Sequence, residues 1–371
     1  MEGVSSITFI SFVYFTLCLL LGFFLLSVKS KNRISNILFA SFLFLTAIDI
    51  SAYFHNLFFK GFSNFVMAKS LLAYLQMPIL YFYVLSVCYS DFKLKPKHLF
   101  HCIPFVVGNL ILVNRFYTKD ASYIANLWKD FNGIWELVFI HFSIHLQFIF
   151  YIVLIFIVLN KYKKIYYQNF SDTATKTYDW LFQFTLVSAI AHSFVIIKSI
   201  LKYVDGNFSF PIAQIVVSII GLSIVIWLVF KALKYPELFK SVDSKIEVFS
   251  TDETKCTEDT EHLVKLDNFM KKQKPYLNSS LTLRNLAQEI KINSRELSIL
   301  INQNLNKHFF DFINEYRINE AKNILKNPSK KEYTILEVLY DVGFNSKSSF
   351  NTAFKKHTGA TPSEYRKQFY N

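Results

Sequence analysis

Cysteine is scarce in this sequence. Its four copies, at 18, 88, 102 and 256 of 371 residues, fall singly, with no CxxC spacing and no disulfide-like pattern. The first three lie in or beside long apolar runs, where a free thiol acts as a small apolar filler. Arginine is also rare, six against 34 lysines, so part of the formal charge of +13 reads as a background preference for lysine. The excess still allows a polyanionic partner, nucleic acid or anionic lipid. No paired-carboxylate site, nucleophile and base set, glycine-rich phosphate loop or inverted repeat can be found. These absences argue against an enzyme and against any cofactor or metal requirement.

What the chain has in abundance is apolar and aromatic residues, with 41 Phe and 21 Tyr, most of them before residue 235. From Gly3 to Val28 there is no charged residue, a run longer than the roughly 20 residues that cross a bilayer core. Glu2 precedes it, and Lys29, Lys31 and Arg33 follow, the reverse of a signal peptide's charge order. The expectation is a retained span. Six more apolar runs follow at about 34–58, 63–89, 99–114, 135–159, 180–201 and 209–233. The 99–114 run is the weakest, being short and interrupted by Pro104.

The connections test this count independently, because Lys and Arg concentrate on the cytoplasmic side. The first, third and fifth connections carry 10 basic residues and the second, fourth and sixth carry 5. The amino terminus is therefore expected outside and residues beyond the seventh span inside. Six spans would put either the basic first connection or the carboxy-terminal third on the wrong side. Residues 236–262 are polar and mixed in charge and read as a linker, dividing a membrane domain (1–235) from a soluble domain (263–371).

The soluble part reads as all-helical. Thr282 precedes a two-turn helix with Leu283, Leu286, Ala287 and Ile290 on one face, and Ser294 then stands as the N-cap of a helix from Arg295 to Leu305. Two short helices about a tight turn make a helix-turn-helix, whose second helix fits the major groove. A longer helix, 309–326, ends at Asn327-Pro328, and the unit then repeats. Thr334 and Glu337 form a capping box, Gly343 closes the helix, Ser346 opens a second recognition helix, and Thr361-Pro362-Ser363-Glu364 caps the last.

The stretch from Gly343 to Arg366, GFNSKSSFNTAFKKHTGATPSEYR, resembles the signature of AraC-family bacterial transcription regulators, as do the upstream LTLRNLA unit and the FINEYRI helix. The resemblance covers about 262–370. It implies two recognition helices, held by the linker helix, entering successive major grooves of double-stranded DNA. Carried across by position, the first would offer Arg295, Glu296, Ser298, Ile299 and Asn302. The second, opened by Ser346, would offer Lys347, Ser348, Asn351 and Thr352, with Lys355, Lys356 and Arg366 meeting phosphates. Ile299 and Thr352 stand where family members often carry Arg or another long polar residue, and Leu339 replaces the usual small Ala in the second unit, which must repack locally. From Glu261 onward 18 basic side chains face 11 acidic ones, which suits nucleic acid.

Polar side chains inside spans call for a role. Asp49 and His55 on span 2, Lys69 and Gln76 on span 3, His141 and His145 on span 5, His192 and Lys198 on span 6 and Gln214 on span 7 fall toward the outer face. They suggest a polar pocket for an external ligand. Polar contacts between helices would explain them equally. His141 and His145 share a helix face as metal ligands could, but no third ligand is identifiable.

The whole is expected to be an all-α chain, a polytopic helix bundle fused to a soluble double helix-turn-helix domain. It would be a one-component transcription regulator in a bacterial inner membrane, with the bilayer, DNA and an unidentified small-molecule or protein signal as partners and a second copy, as a homodimer, as a further candidate. The competing readings are a membrane transporter or enzyme carrying an autoregulatory DNA-binding module, and a passive anchor that releases the module by proteolysis.

Overall fold

The computed structural model describes residues 5–28, 33–54, 64–89, 91–120, 123, 134–171, 176–204, 208–234, 259–330 and 332–370. It forms two compact units, Met1–Asn160 with Thr177–Lys245, and Lys161–Lys176 with Ile246–Asn371. Both are helical, and the described residues hold no β-sheet.

The first unit contains α1 (Ser6–Ser27), α2 (Arg33–Ile50), α3 (Asn64–Leu71), α4 (Ala73–Cys88), α5 (Ile103–Leu112), most of α6 (Trp135–Asn169), α7 (Lys176–Val204) and α8 (Ser209–Lys234). With their short extensions they make seven helices long and apolar enough to cross a membrane among the described residues. The weak fourth run is one of them, Pro96–Tyr117. Pro104 does not interrupt it, because it falls in the first turn of α5, where no helical N–H bond is lost.

Pro78 lies inside α4. Without an N–H it cannot bond the carbonyl of Tyr74 four residues back. That carbonyl instead accepts from Gln147 Nε2 of α6 at 3.1 Å, so the proline's missing bond becomes an interhelical one. The phenylalanine excess also finds its place. Phe39 stacks on Tyr83 with ring centroids 4.6 Å apart, and Phe184, Trp180 and Trp227 extend the aromatic layer across three more contacts. Facing outward are large apolar side chains such as Phe9, Leu20, Phe23, Leu110, Phe139, Leu146 and Phe230, an arrangement inverted relative to a water-soluble bundle.

The second unit contains the end of α6, then α9 (Asp259–Gln273), α10 (Leu283–Ile290), α11 (Ser294–Ile299), α12 (Phe309–Lys326), α13 (Ile335–Asp341), α14 (Lys347–Thr358) and α15 (Pro362–Tyr370). Two cores form, one around α9 to the first half of α12 and one around its second half with α13 to α15. Leu339, wholly buried, fills the second core where a smaller residue was expected. The first turn is displaced by one residue from expectation. Asn293 is the N-cap of α11, its Oδ1 accepting from Arg295 N at 2.8 Å, and Ser294 is already helical. Asx side chains close this short turn more readily than a serine one position later.

Candidate nucleic-acid interface and membrane cavity

In the first helix-turn-helix, Thr282 caps α10 by accepting from Asn285 N, and Lys291 turns the chain through a left-handed φ of 57°. In the second, Thr334 and Glu337 cap reciprocally, Thr334 N donating to Glu337 Oε2 at 2.7 Å and Glu337 N to Thr334 Oγ1 at 3.1 Å. Those bonds to Thr334 hold the Glu337 carboxyl below the usual carboxylate range. Ser346 accepts from Ser349 N at 3.2 Å and so starts α14. Thr361 and Glu364 repeat the reciprocal cap at α15.

Arg295 and Glu296 are exposed on α11, as are Lys347, Ser348, Thr352, Lys355 and Lys356 on α14; Ile299, Asn302, Asn351 and Arg366 are half-buried. Ser298 departs from expectation. It is 5% exposed, and its hydroxyl and carbonyl both accept from Asn302 Nδ2, at 3.1 and 2.8 Å. One turn of helix separates the two, so the amide folds back and ties the serine inward. Ser346 is occupied with its cap, and Lys356 donates to Asp311 on α12 at 2.6 Å. The residues left outermost are Arg295, Glu296, Lys347, Ser348, Thr352 and Lys355.

Sequence reasoning missed Arg317. It is fully buried on α12 and donates from Nε to Tyr276 O at 2.7 Å, from Nη2 to Asn278 O at 2.8 Å, and from Nη1 and Nη2 to Ser171 O and Oγ at 2.8 and 3.1 Å. Its guanidinium also lies over the Phe344 ring, 5.5 Å from the centroid. The signal was there: 313, 317 and 321 are spaced by four and share one face, which put an arginine in an apolar stripe. Nearby Tyr276 and Tyr316 stack, and burial pushes both hydroxyls up to about 12, aided by Glu320 and Asp267 respectively.

In the first unit a cavity of about 480 Å³ is lined by Asp49, Gln76, His141, His145, His192 and Lys198 among mainly apolar neighbours. Six of the nine polar residues expected at a pocket thus meet. Lys69 lies beside it, donating to Ser51 Oγ at 2.9 Å. Gln214 is outside the lining, set one turn before Ser218, which takes α8's place there. His55 lies outside the described residues. His145 spans to α7 through both ring nitrogens, 3.1 Å from His192 Nε2 and 2.8 Å from Ser199 Oγ. His141 Nε2 and Ser218 Oγ have no hydrogen-bond partner among the described residues. The same residues include no group of three potential metal ligands.

Two helix-turn-helix units bridged by a linker helix, each presenting an exposed second helix, define a DNA-binding domain. Residues 286–368 match the helix-turn-helix domain family. The Msm operon regulatory protein of Streptococcus mutans is 28% identical over 93 residues, covering 25% of this chain and 32% of that protein. The arabinose operon regulatory protein of Escherichia coli is 34% identical over 88 residues, 24% of this chain and 29% of that one. Among solved structures, the C-terminal domain of AraT, a response regulator from Geobacillus stearothermophilus, is 28% identical, with 31% and 88% coverage and a TM-score of 0.26. The matches span about a third of the length of the curated relatives. The carboxy-terminal unit carries an AraC-type helix-turn-helix domain.

Proposed function

We propose that this chain is a membrane-embedded transcription regulator. In this reading the second unit binds specific DNA in the cytoplasm, and the first holds it at the inner membrane and responds to an external ligand. The observation that carries the DNA half is the pair of capped recognition helices with exposed polar faces, basic on α14, supported by relatives whose names describe operon regulators. Membrane residence is supported by seven long apolar helices among the described residues and an outward apolar surface.

Genome-wide occupancy of the tagged chain tests the reading and supplies DNA sites for binding assays. At those sites Lys347→Ala and Asn351→Ala are each expected to cost about 1–3 kcal/mol and to relax specificity at one position. Lys355→Ala should weaken all sequences evenly and lower the salt slope by about one. Unchanged preference in both of the first two variants would reject α14 as the reader.

The cavity is the candidate signal site. Its volume lies within the roughly 300–1,000 Å³ of small-molecule pockets, and two of its polar atoms lack partners within the described structure. Asp49→Asn, His141→Leu and His192→Leu are expected to abolish the change of occupancy with growth condition while DNA binding persists. If all three retain the response, the polar cluster is helix packing, the reading that the His145 bonds to α7 favour.

A further inference from the structure

The second unit incorporates a piece of chain that precedes all the rest of it, the end of α6 from Lys161 and the turn at Ser171. The helix outlasts its apolar run because Tyr162, Ile165 and Tyr166 continue a buried face. Tyr167 then meets Phe310 at 5.0 Å, and Phe170 pairs with Thr282 in one antiparallel bridge. Ser171 donates to Leu281 O from its N–H at 3.3 Å and from its hydroxyl at 2.7 Å. Arg317 closes the contact. It joins Ser171 to the loop ahead of the first helix-turn-helix, and it lies over Phe344 of the second.

We propose that Lys161–Ser171 is an intramolecular docking segment that fixes the angle between the two helix-turn-helix units, so that its docked state is the DNA-binding one. The docking surface is Leu281–Thr282, Phe310 and Arg317, and its occupant is this segment of the same chain. It supports the recognition faces and does not shield them, since Arg295, Glu296, Lys347 and Ser348 stay exposed with it in place. Holding both units at one angle makes the second recognition helix bind at high effective concentration once the first is seated. Residues 161–169 of the segment are the last of α6 itself. The proposal rests on reading this unit as DNA-binding, but the docking itself is testable without that reading.

The test uses the full chain in native membranes, with Cys18, Cys88, Cys102 and Cys256 replaced by serine. Phe170→Cys with Thr282→Cys, a cross-strand pair at disulfide distance, should oxidise to an intramolecular bond and keep its genomic sites. Phe170→Ala with Ser171→Val should lose those sites about tenfold, with membrane-bound protein and binding to random-sequence DNA unchanged. If that pair also lowers the protein level, Tyr167→Ala, which removes the Phe310 contact and leaves Phe170 and Ser171 in place, should give a fall of about two- to fivefold. Failure of the cysteine pair to bond overturns the docking. Loss of sites on bonding makes the segment a lock, and wild-type occupancy in the undocked variants denies it a role. A bonded pair in a chain that occupies no DNA at all would instead defeat the DNA-binding reading.

Discussion

Arg317→Met is expected to destabilise the second unit by about 3–5 kcal/mol, the range for stripping one partner from a buried charged network. The methionine fills much of the space but donates nothing. The carbonyls of Tyr276, Asn278 and Ser171 then lose a buried donor, each at about 1–3 kcal/mol if water cannot reach it. Arg317→Lys should recover little, since an ammonium cannot serve three carbonyls set around a planar fork. Amide exchange in purified full-length protein would read this out, with protection across α12 and the 276–282 loop falling together. Exchange within about 1 kcal/mol of the parent would mean that the network contributes little net stability.

Gly343→Ala is expected to cost about 2–4 kcal/mol, summing left-handed strain with a clash that cannot relax. Its φ is +87°, and a Cβ there would sit 2.6 Å from Leu277 O and 2.8 Å from Tyr276 O. Both obstacles are backbone, in the loop that Arg317 also holds. Gly359 is the built-in control: its φ is +77°, but nothing lies within 4 Å of an added Cβ. Gly359→Ala should therefore cost only the strain, about 1–2 kcal/mol. Equal losses at the two positions, measured by denaturant unfolding followed through α14, would show that the close approach to the loop has no energetic weight.

Much of this architecture was legible because its signals are local. A charge-free run declares a helix of membrane-crossing length, and the capping boxes at Thr334 and Thr361 fix helix starts through residues three apart. Six of nine pocket candidates meet in one cavity because depth along a span can be counted from its ends. Contacts distant in sequence were not legible. Nothing near Ser171 indicates that its carbonyl serves Arg317, 146 residues away. Ser298 was misplaced for a different reason. Recognition-helix positions came from resemblance, whereas the rotamer that Asn302 imposes on Ser298 belongs to this chain. The extension of α6 past residue 159 could have been read, since 162, 165 and 166 keep helical spacing after the apolar run ends.

The carboxy-terminal unit is discontinuous in sequence, and this bears on how it is made and how it could be lost. During synthesis, Lys161–Ser171 emerges long before Arg317, so the first helix-turn-helix reaches its final surroundings only after a tract made much earlier folds back onto it. A protease cutting anywhere in 236–258 would separate Asp259–Asn371 from that tract. The fragment would carry both recognition helices but lack Ser171, with Arg317 stripped of two of its acceptors. Excision would thus yield a weakened domain, a poor design for a messenger that must travel to the chromosome. The covalent discontinuity favours a regulator that acts while still attached.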